Sequence, residues 1–187
     1  MNPKHHQDTC KLQHGFTLIE LLITLVIVGV LLVVAVPSLR SYTSNQTLSN
    51  AVSDLMASTL QARSAALKTN RPVLVQPITP GDWLSGWRVY VDKNANNVFD
   101  SATDELISTR EPLDRDIEVV ALSGTGEGSS KTEIAYGPDG FIATIAGSNA
   151  GSVALKSTYT SRTKMLRVGR TGRANICDPK LSPGCDS

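Results

Sequence analysis

Gly15-Phe16-Thr17-Leu18-Ile19-Glu20 opens onto a run, Leu21 to Leu39, that contains no charged residue. Phe16 to Val36 covers 21 residues, about 31 Å as a helix, which is enough to cross a bilayer core of roughly 30 Å. A single carboxylate at the start of such a run is costly. Inside the hydrocarbon region it carries a penalty of about 2.5–3.5 kcal/mol, so residues of this kind are usually paired and functional. An ordinary secretory signal has an apolar core of only about 7–15 residues and is cut on its far side. Here the glycine lies on the near side, so a cut there leaves the apolar helix attached to the protein.

The polar leader ending in Gly15, then Phe16, the run Thr17-Leu18-Ile19-Glu20, the long apolar segment and Pro37 together resemble the class III signal of type IV pilins and type II secretion pseudopilins. The resemblance implies that a prepilin peptidase cuts between Gly15 and Phe16 and methylates the new amino terminus of Phe16. It also implies that Glu20, fifth in the processed chain, neutralises the positive terminus of a neighbouring subunit during filament assembly. Removal of residues 1–15 leaves 187 − 15 = 172 residues, room for one long helix and one modest globular head. Lys4 and Lys11 precede the apolar segment, and the positive-inside bias then keeps the amino terminus cytoplasmic and sends the head to the periplasm.

His5, His6 and His14 all lie in the leader. The processed chain therefore has no imidazole, which removes His-based general-base catalysis, His-containing triads and most catalytic zinc sites. No catalytic residue, metal site or cofactor is expected. Cys10 leaves with the leader, while Cys177 and Cys185 remain, separated by seven residues that include Pro179 and Pro183. In an oxidising compartment this short loop is readily closed by a Cys177–Cys185 disulfide.

Helical periodicity continues past Pro37, with Leu48, Val52, Leu55, Met56 and Leu60 at steps of three and four. Lys68, Asn70, Arg71 and Pro72 supply late cations, a cap and a breaker. One helix is expected from about Phe16 to Lys68, bent near Pro37 because proline removes an internal hydrogen bond. Residues 16–36 form its transmembrane half and 37–70 its amphipathic half, packed against the head. Beyond Pro72 the texture changes to short β-like runs between turn residues. These are Pro72–Gln76, Trp87–Val91, Leu106–Thr109, Ile117–Leu122, Thr132–Tyr136, Phe141–Ile145, Ser152–Lys156 and Lys164–Val168. The fold class is α+β: a long N-terminal helix carrying a β-rich, mostly antiparallel, pilin-like head over residues 71–187.

A helix with Ala65-Ala66, a Trp87–Asp92 strand running into an Asp/Asn-rich hairpin, and a Gly-Arg element before Cys177 resemble the GspH/FimT family in particular. That resemblance implies a low-abundance subunit that helps initiate or cap a filament. Its expected partners are other major and minor pilins, the prepilin peptidase and the inner-membrane assembly platform. The same signature fits a minor pseudopilin of a type II secretion system.

Two polar segments invite a binding function. Asp92 to Asp100 begins like a calcium loop, but Asn97 stands where an EF-hand needs glycine and Thr103 where it needs glutamate. The segment is read as a polar hairpin, because Asn tolerates left-handed backbone at turns. The second segment emerges once charge is divided along the chain. The total is only +1, yet Asp82 to Asp139 holds twelve acids and five bases, whereas Gly140 to Ile176 holds six bases and no acid. Lys164, Arg167, Arg170 and Arg173 recur at steps of three, with Gly169 and Gly172 between them. Arg167 to Arg173 spans about 20 Å when extended, a length comparable to several phosphates on one strand. These four residues are the candidate DNA contacts, made through the backbone because no Trp or Phe interleaves them for base stacking. DNA-binding members of the resembled family carry Gly-Arg-x-Arg. Here Asn175 takes the place of the second arginine in one alignment, and an extra Gly172 intervenes in the other. The alternative is that the basic end packs beside the acidic middle.

Mass spectrometry of the membrane-extracted protein is expected to give a chain beginning at N-methylated Phe16, and the same digest without reductant should link Cys177 to Cys185. An intact Met1 terminus in cells containing the peptidase overturns the processing assignment.

Overall fold

The computed structural model describes residues 16–124, 133–145 and 150–181. The chain divides into an N-terminal unit ending at Arg40 and a larger unit, Ser41–Ser187. Helix α1, Leu18–Thr69, supplies residues to both and is continuous through Pro37. Asn70 ends it in the left-handed region at φ +53°, a standard way of closing the last turn. In the N-terminal unit the large apolar side chains described between Leu18 and Leu39 are exposed, and α1 is the one described helix long and apolar enough to cross a membrane.

In the larger unit α1 buries one face through Ser44, Leu48, Ala51, Val52, Leu55, Thr59, Ala62 and Ala66. The face departs from the expected stripe at its C-terminal end, where Leu60 is exposed. Twelve residues at about 100° each place Leu60 roughly 120° around from Leu48, whereas Thr59, Ala62 and Ala66 stay in phase.

Among the described residues nine strands follow: β1 Val73–Thr79, β2 Asp82–Val91, β3 Glu105–Arg110, β4 Ile117–Gly124, β5 Ile134–Tyr136, β6 Ile142–Ile145, β7 Gly151–Ser157, β8 Thr163–Val168 and β9 Ala174–Cys177. All pairings are antiparallel, in a five-stranded sheet ordered β3-β2-β1-β5-β6 and a four-stranded sheet ordered β4-β7-β8-β9. Strand alternation aims Val73, Val75, Trp87, Val89, Ile134 and Tyr136 of the first sheet, and Val153, Leu155, Leu166 and Val168 of the second, into one core with the helix face. Polar ties join the helix to the second sheet: Ser44 Oγ lies 2.7 Å from Ser157 Oγ, and Thr160 Oγ1 donates to Asn45 Oδ1 at 2.8 Å.

β2 begins five residues earlier than expected. Asp82 to Ser85 looks turn-like in isolation, but Gly86 at φ +82° lets the strand continue where a Cβ would meet the Arg110 carbonyl oxygen. β1 is buried on both faces at Leu74, because the segment 92–104 folds back over the sheet's second side. There Phe99 meets Tyr90 edge-on at 5.1 Å and lies under the Arg88 guanidinium at 4.8 Å, forming a small second cluster with Leu74 and Ala135.

Candidate functional sites: the helix start and the basic turn

The helix start is a closed set of hydrogen bonds. The Thr17 N–H and Oγ1–H both donate to Glu20 Oε2 at 2.9 Å, and the Glu20 N–H donates to Thr17 Oγ1 at 3.3 Å. This is a capping box, the reciprocal arrangement written in sequence as Ser/Thr-x-x-Glu. The signal was legible in Thr17-Leu18-Ile19-Glu20, and the reading that fixed on Glu20 alone missed Thr17. Helical residues begin at Leu18, which leaves Phe16 exposed and outside the helix. Gly15 lies outside the described residues.

The four tail cations do not form one row. Lys164 and Arg167 are an odd number of residues apart on β8, so they leave opposite faces of the sheet. The Lys164 ammonium donates to Ser49 Oγ of α1 at 2.9 Å, on the side of Leu166 and Val168. Arg167 is half-buried and cross-strand from Asn175. Arg170 and Arg173 sit together and exposed on the turn joining β8 to β9. Among the described residues neither of their side chains makes a hydrogen bond or ion pair. The basic end packs beside the acidic middle along the β4–β7 ladder, where Lys156 Nζ lies 2.6 Å from its direct cross-strand partner Glu118 Oε1.

The turn is held from inside and out. Within it, the Gly169 N–H donates to the Arg173 carbonyl at 3.0 Å and the Gly172 N–H to the Gly169 carbonyl at 2.8 Å. From α1, Arg63 Nη1 donates to the Gly172 carbonyl at 3.1 Å and Nη2 to the Thr171 carbonyl at 2.9 Å. From β5, the buried Tyr136 hydroxyl donates to the same Gly172 carbonyl at 3.1 Å. Gly172 has φ +74°, and a Cβ there would collide with the Gly140 carbonyl oxygen. The glycine of the Gly-Arg element is therefore required by backbone geometry. Arg63 escaped the sequence reading because no local signal ties it to residues more than a hundred positions away.

Cys177 is half-buried and disulfide-bonded, while Cys185 lies outside the described residues. Asp178, next to Cys177, accepts from Arg162 Nε at 3.1 Å and from the Lys180 N–H at 3.0 Å. In the 92–104 loop the carboxylates turn inward to backbone donors. Buried Asp92 accepts from the N–H groups of Asn96 and Asn97 at 3.3 and 2.8 Å, and Asp104 from those of Lys93 and Asp100 at 3.0 and 2.8 Å. Ala95 and Asn97 adopt left-handed backbone. Among the described residues no group of acids and cysteines is arranged to hold an ion.

The apolar N-terminal helix with its methylation motif and the antiparallel head place the chain in the type IV pilin superfamily. The chain belongs to its GspH family: residues 51–172 match the family described as Type II transport protein GspH, and residues 10–36 match the prokaryotic N-terminal methylation motif. A fimbrial protein of Pseudomonas aeruginosa is 30% identical over 150 residues, covering 80% of this chain and 89% of that protein. The pilin-like protein PilA1 of Thermus thermophilus is 38% identical over 88 residues, covering 47% of this chain and 54% of that protein. The fold is similar to that of the crystallised type IV minor pilin FimU of Pseudomonas aeruginosa, with a TM-score of 0.57 and 16% identity over 76% of this chain and 96% of that one.

Burial pushes the Tyr136 phenol up to about 12, with Arg63 acting in the opposite sense. In the unfolded chain it ionises near 10. The protonated phenol thus contributes its full stability below pH 10 and loses it as pH rises toward 12. Denaturation midpoints measured from pH 8 to 12 are expected to fall across that window, and to fall less in Tyr136→Phe. Tyr90, also raised by burial and by Asp92 and Asp104, leaves part of the loss in the variant.

Proposed function

We propose that this chain is a minor type IV pilin, a low-abundance subunit that helps initiate or cap a pilus. The observation that carries this reading is the pairing of the methylation motif with a GspH-type head whose fimbrial relative aligns over 89% of its own length. In this reading residues 1–15 are removed by prepilin peptidase and Phe16 becomes the methylated terminus. Residues 16–36 anchor the chain in the inner membrane with the amino terminus cytoplasmic, and the head, residues 71–187, is periplasmic, its tail closed by Cys177–Cys185. The subunit then leaves the membrane by packing with other pilins on the assembly platform. Its work is structural, with no reaction of its own. The Glu20 carboxylate fits the pairing role chemically: both Thr17 donors use Oε2, leaving Oε1 for a neighbour's ammonium group.

A second reading rests on a separate observation, the two exposed arginines on a rigid turn. Arg170 and Arg173 are suited to bind DNA phosphates, since guanidinium groups match phosphate oxygens in pairs. Lys164, committed to Ser49, is not counted.

Complementation tests the first reading. In a strain lacking the gene, the wild-type chain should restore surface pili and twitching, whereas Glu20→Ala should insert in the membrane but fail to enter filaments. A defect confined to protein secretion assigns the chain to a type II pseudopilus instead, and normal assembly of Glu20→Ala removes the pairing role. For the second reading, two phosphates neutralised imply that log affinity for duplex DNA falls with log salt at a slope of about −1.8. Each of Arg170→Gln and Arg173→Gln should reduce that slope by about 0.9, and equal weak binding by the double variant and wild type makes the turn purely structural.

A further inference from the structure

We infer that Arg63, on the helix, is the positioning residue that presents Arg170 and Arg173 to an anionic polymer; this rests on the phosphate-binding reading of the turn. Exposed connecting segments are ordinarily more mobile than the elements they join. This one is fastened by four further donations: two from Arg63 and one from the Tyr136 hydroxyl to the carbonyls of Thr171 and Gly172, the residues between the two exposed arginines, and one from the Ile142 N–H to the Arg170 carbonyl at 3.3 Å. The fork of the guanidinium matters here. Its two nitrogens reach two successive carbonyls at once, which a lysine ammonium cannot do with the same fixed geometry.

The choice of partner matters as much as the geometry. A guanidinium held by carbonyls keeps its full charge, whereas one held by a carboxylate is neutralised. Among the described residues Arg63 pairs with no acid, in contrast to Arg110, which pairs with Asp54 at 2.9 Å on the same helix. Arg63 therefore stiffens the turn without bringing a carboxylate beside Arg170 and Arg173. Binding to a turn ordered beforehand avoids the entropy cost of ordering it on contact.

The test uses the processed full chain in detergent micelles and a synthetic DNA duplex, titrated at several salt concentrations. Arg63→Gln is expected to weaken binding roughly five- to tenfold, as when two side chains are ordered at binding and not before it, with the salt slope unchanged. Tyr136→Phe, which removes no charge, should weaken binding in the same direction, also at constant slope. Circular dichroism and melting of each variant establish folding; if Arg63→Gln does not fold, Arg63→Lys and Tyr136→Phe carry the test. Unchanged affinity in folded variants reduces Arg63 to structural glue. A slope smaller by about 0.9 in Arg63→Gln, with Arg63→Lys behaving as wild type, makes it a direct phosphate contact and overturns the positioning role. Absence of duplex binding by the wild type defeats the phosphate-binding reading itself, a result separate from either of these.

Discussion

The head depends on a single helix face that serves two sheets at once. No ladder joins the five-stranded sheet to the four-stranded one; Leu48, Val52, Leu55, Ala62 and Ala66 of α1 share one core with both inner faces, and direct bonds from Ile142 N–H to the Arg170 carbonyl and from Tyr136 to the Gly172 carbonyl join the sheets beside it. That face mixes leucines with alanines, and each size has a reason. Leu48 and Leu55 are fully buried and fill the space between the sheets, while Ala62 and Ala66 allow the end of the helix to lie close to Tyr136 and the β8–β9 turn. The polar members are satisfied locally or across the core: Thr59 donates to the Leu55 carbonyl at 2.7 Å, and the Trp87 indole donates to Ser58 Oγ at 2.9 Å. A buried polar group left unpaired costs about 1–3 kcal/mol, so these bonds are conditions for the core and not additions to it.

The same constraint explains where the charges go. Between Ser41 and Leu67 the helix carries only Asp54 and Arg63 as charged residues, and both are turned to the head, Asp54 to Arg110 and Arg63 to the turn. The acidic loop obeys a related logic. Its carboxylates are spent on backbone N–H groups, which lets a segment rich in Asp and Asn fold back so that Phe99 packs on Tyr90 while the residues around it stay exposed.

Much of this was legible. Eight of the nine described strands were expected, all but β2 with edges within a few residues, because runs such as Val73-Leu74-Val75 and Val153-Ala154-Leu155 have no other good home. β9 was missed because Ala174-Asn175-Ile176-Cys177 is short and carries only one strong strand former. Where the basic residues point was not legible from their spacing. On β8 side chains alternate with period two, so residues 164 and 167 diverge, while Arg170 and Arg173 both lie exposed on the turn that follows. Arg63 was invisible because its meaning is entirely tertiary.

The helix start shows how one carboxylate can answer two demands. Near an apolar segment, an uncompensated charge is unfavourable, and the free N–H groups of a first helical turn are unfavourable as well. Thr17 lets Glu20 relieve both within a single chain, since the box satisfies the Thr17 and Glu20 N–H groups while giving the carboxylate two donors. Concentrating those donors on Oε2 leaves the other oxygen with its acceptor capacity intact. In the pairing role proposed for Glu20, an incoming ammonium would meet Oε1 and leave the cap intact, so a monomer in the membrane and a subunit in a filament would share one helix start.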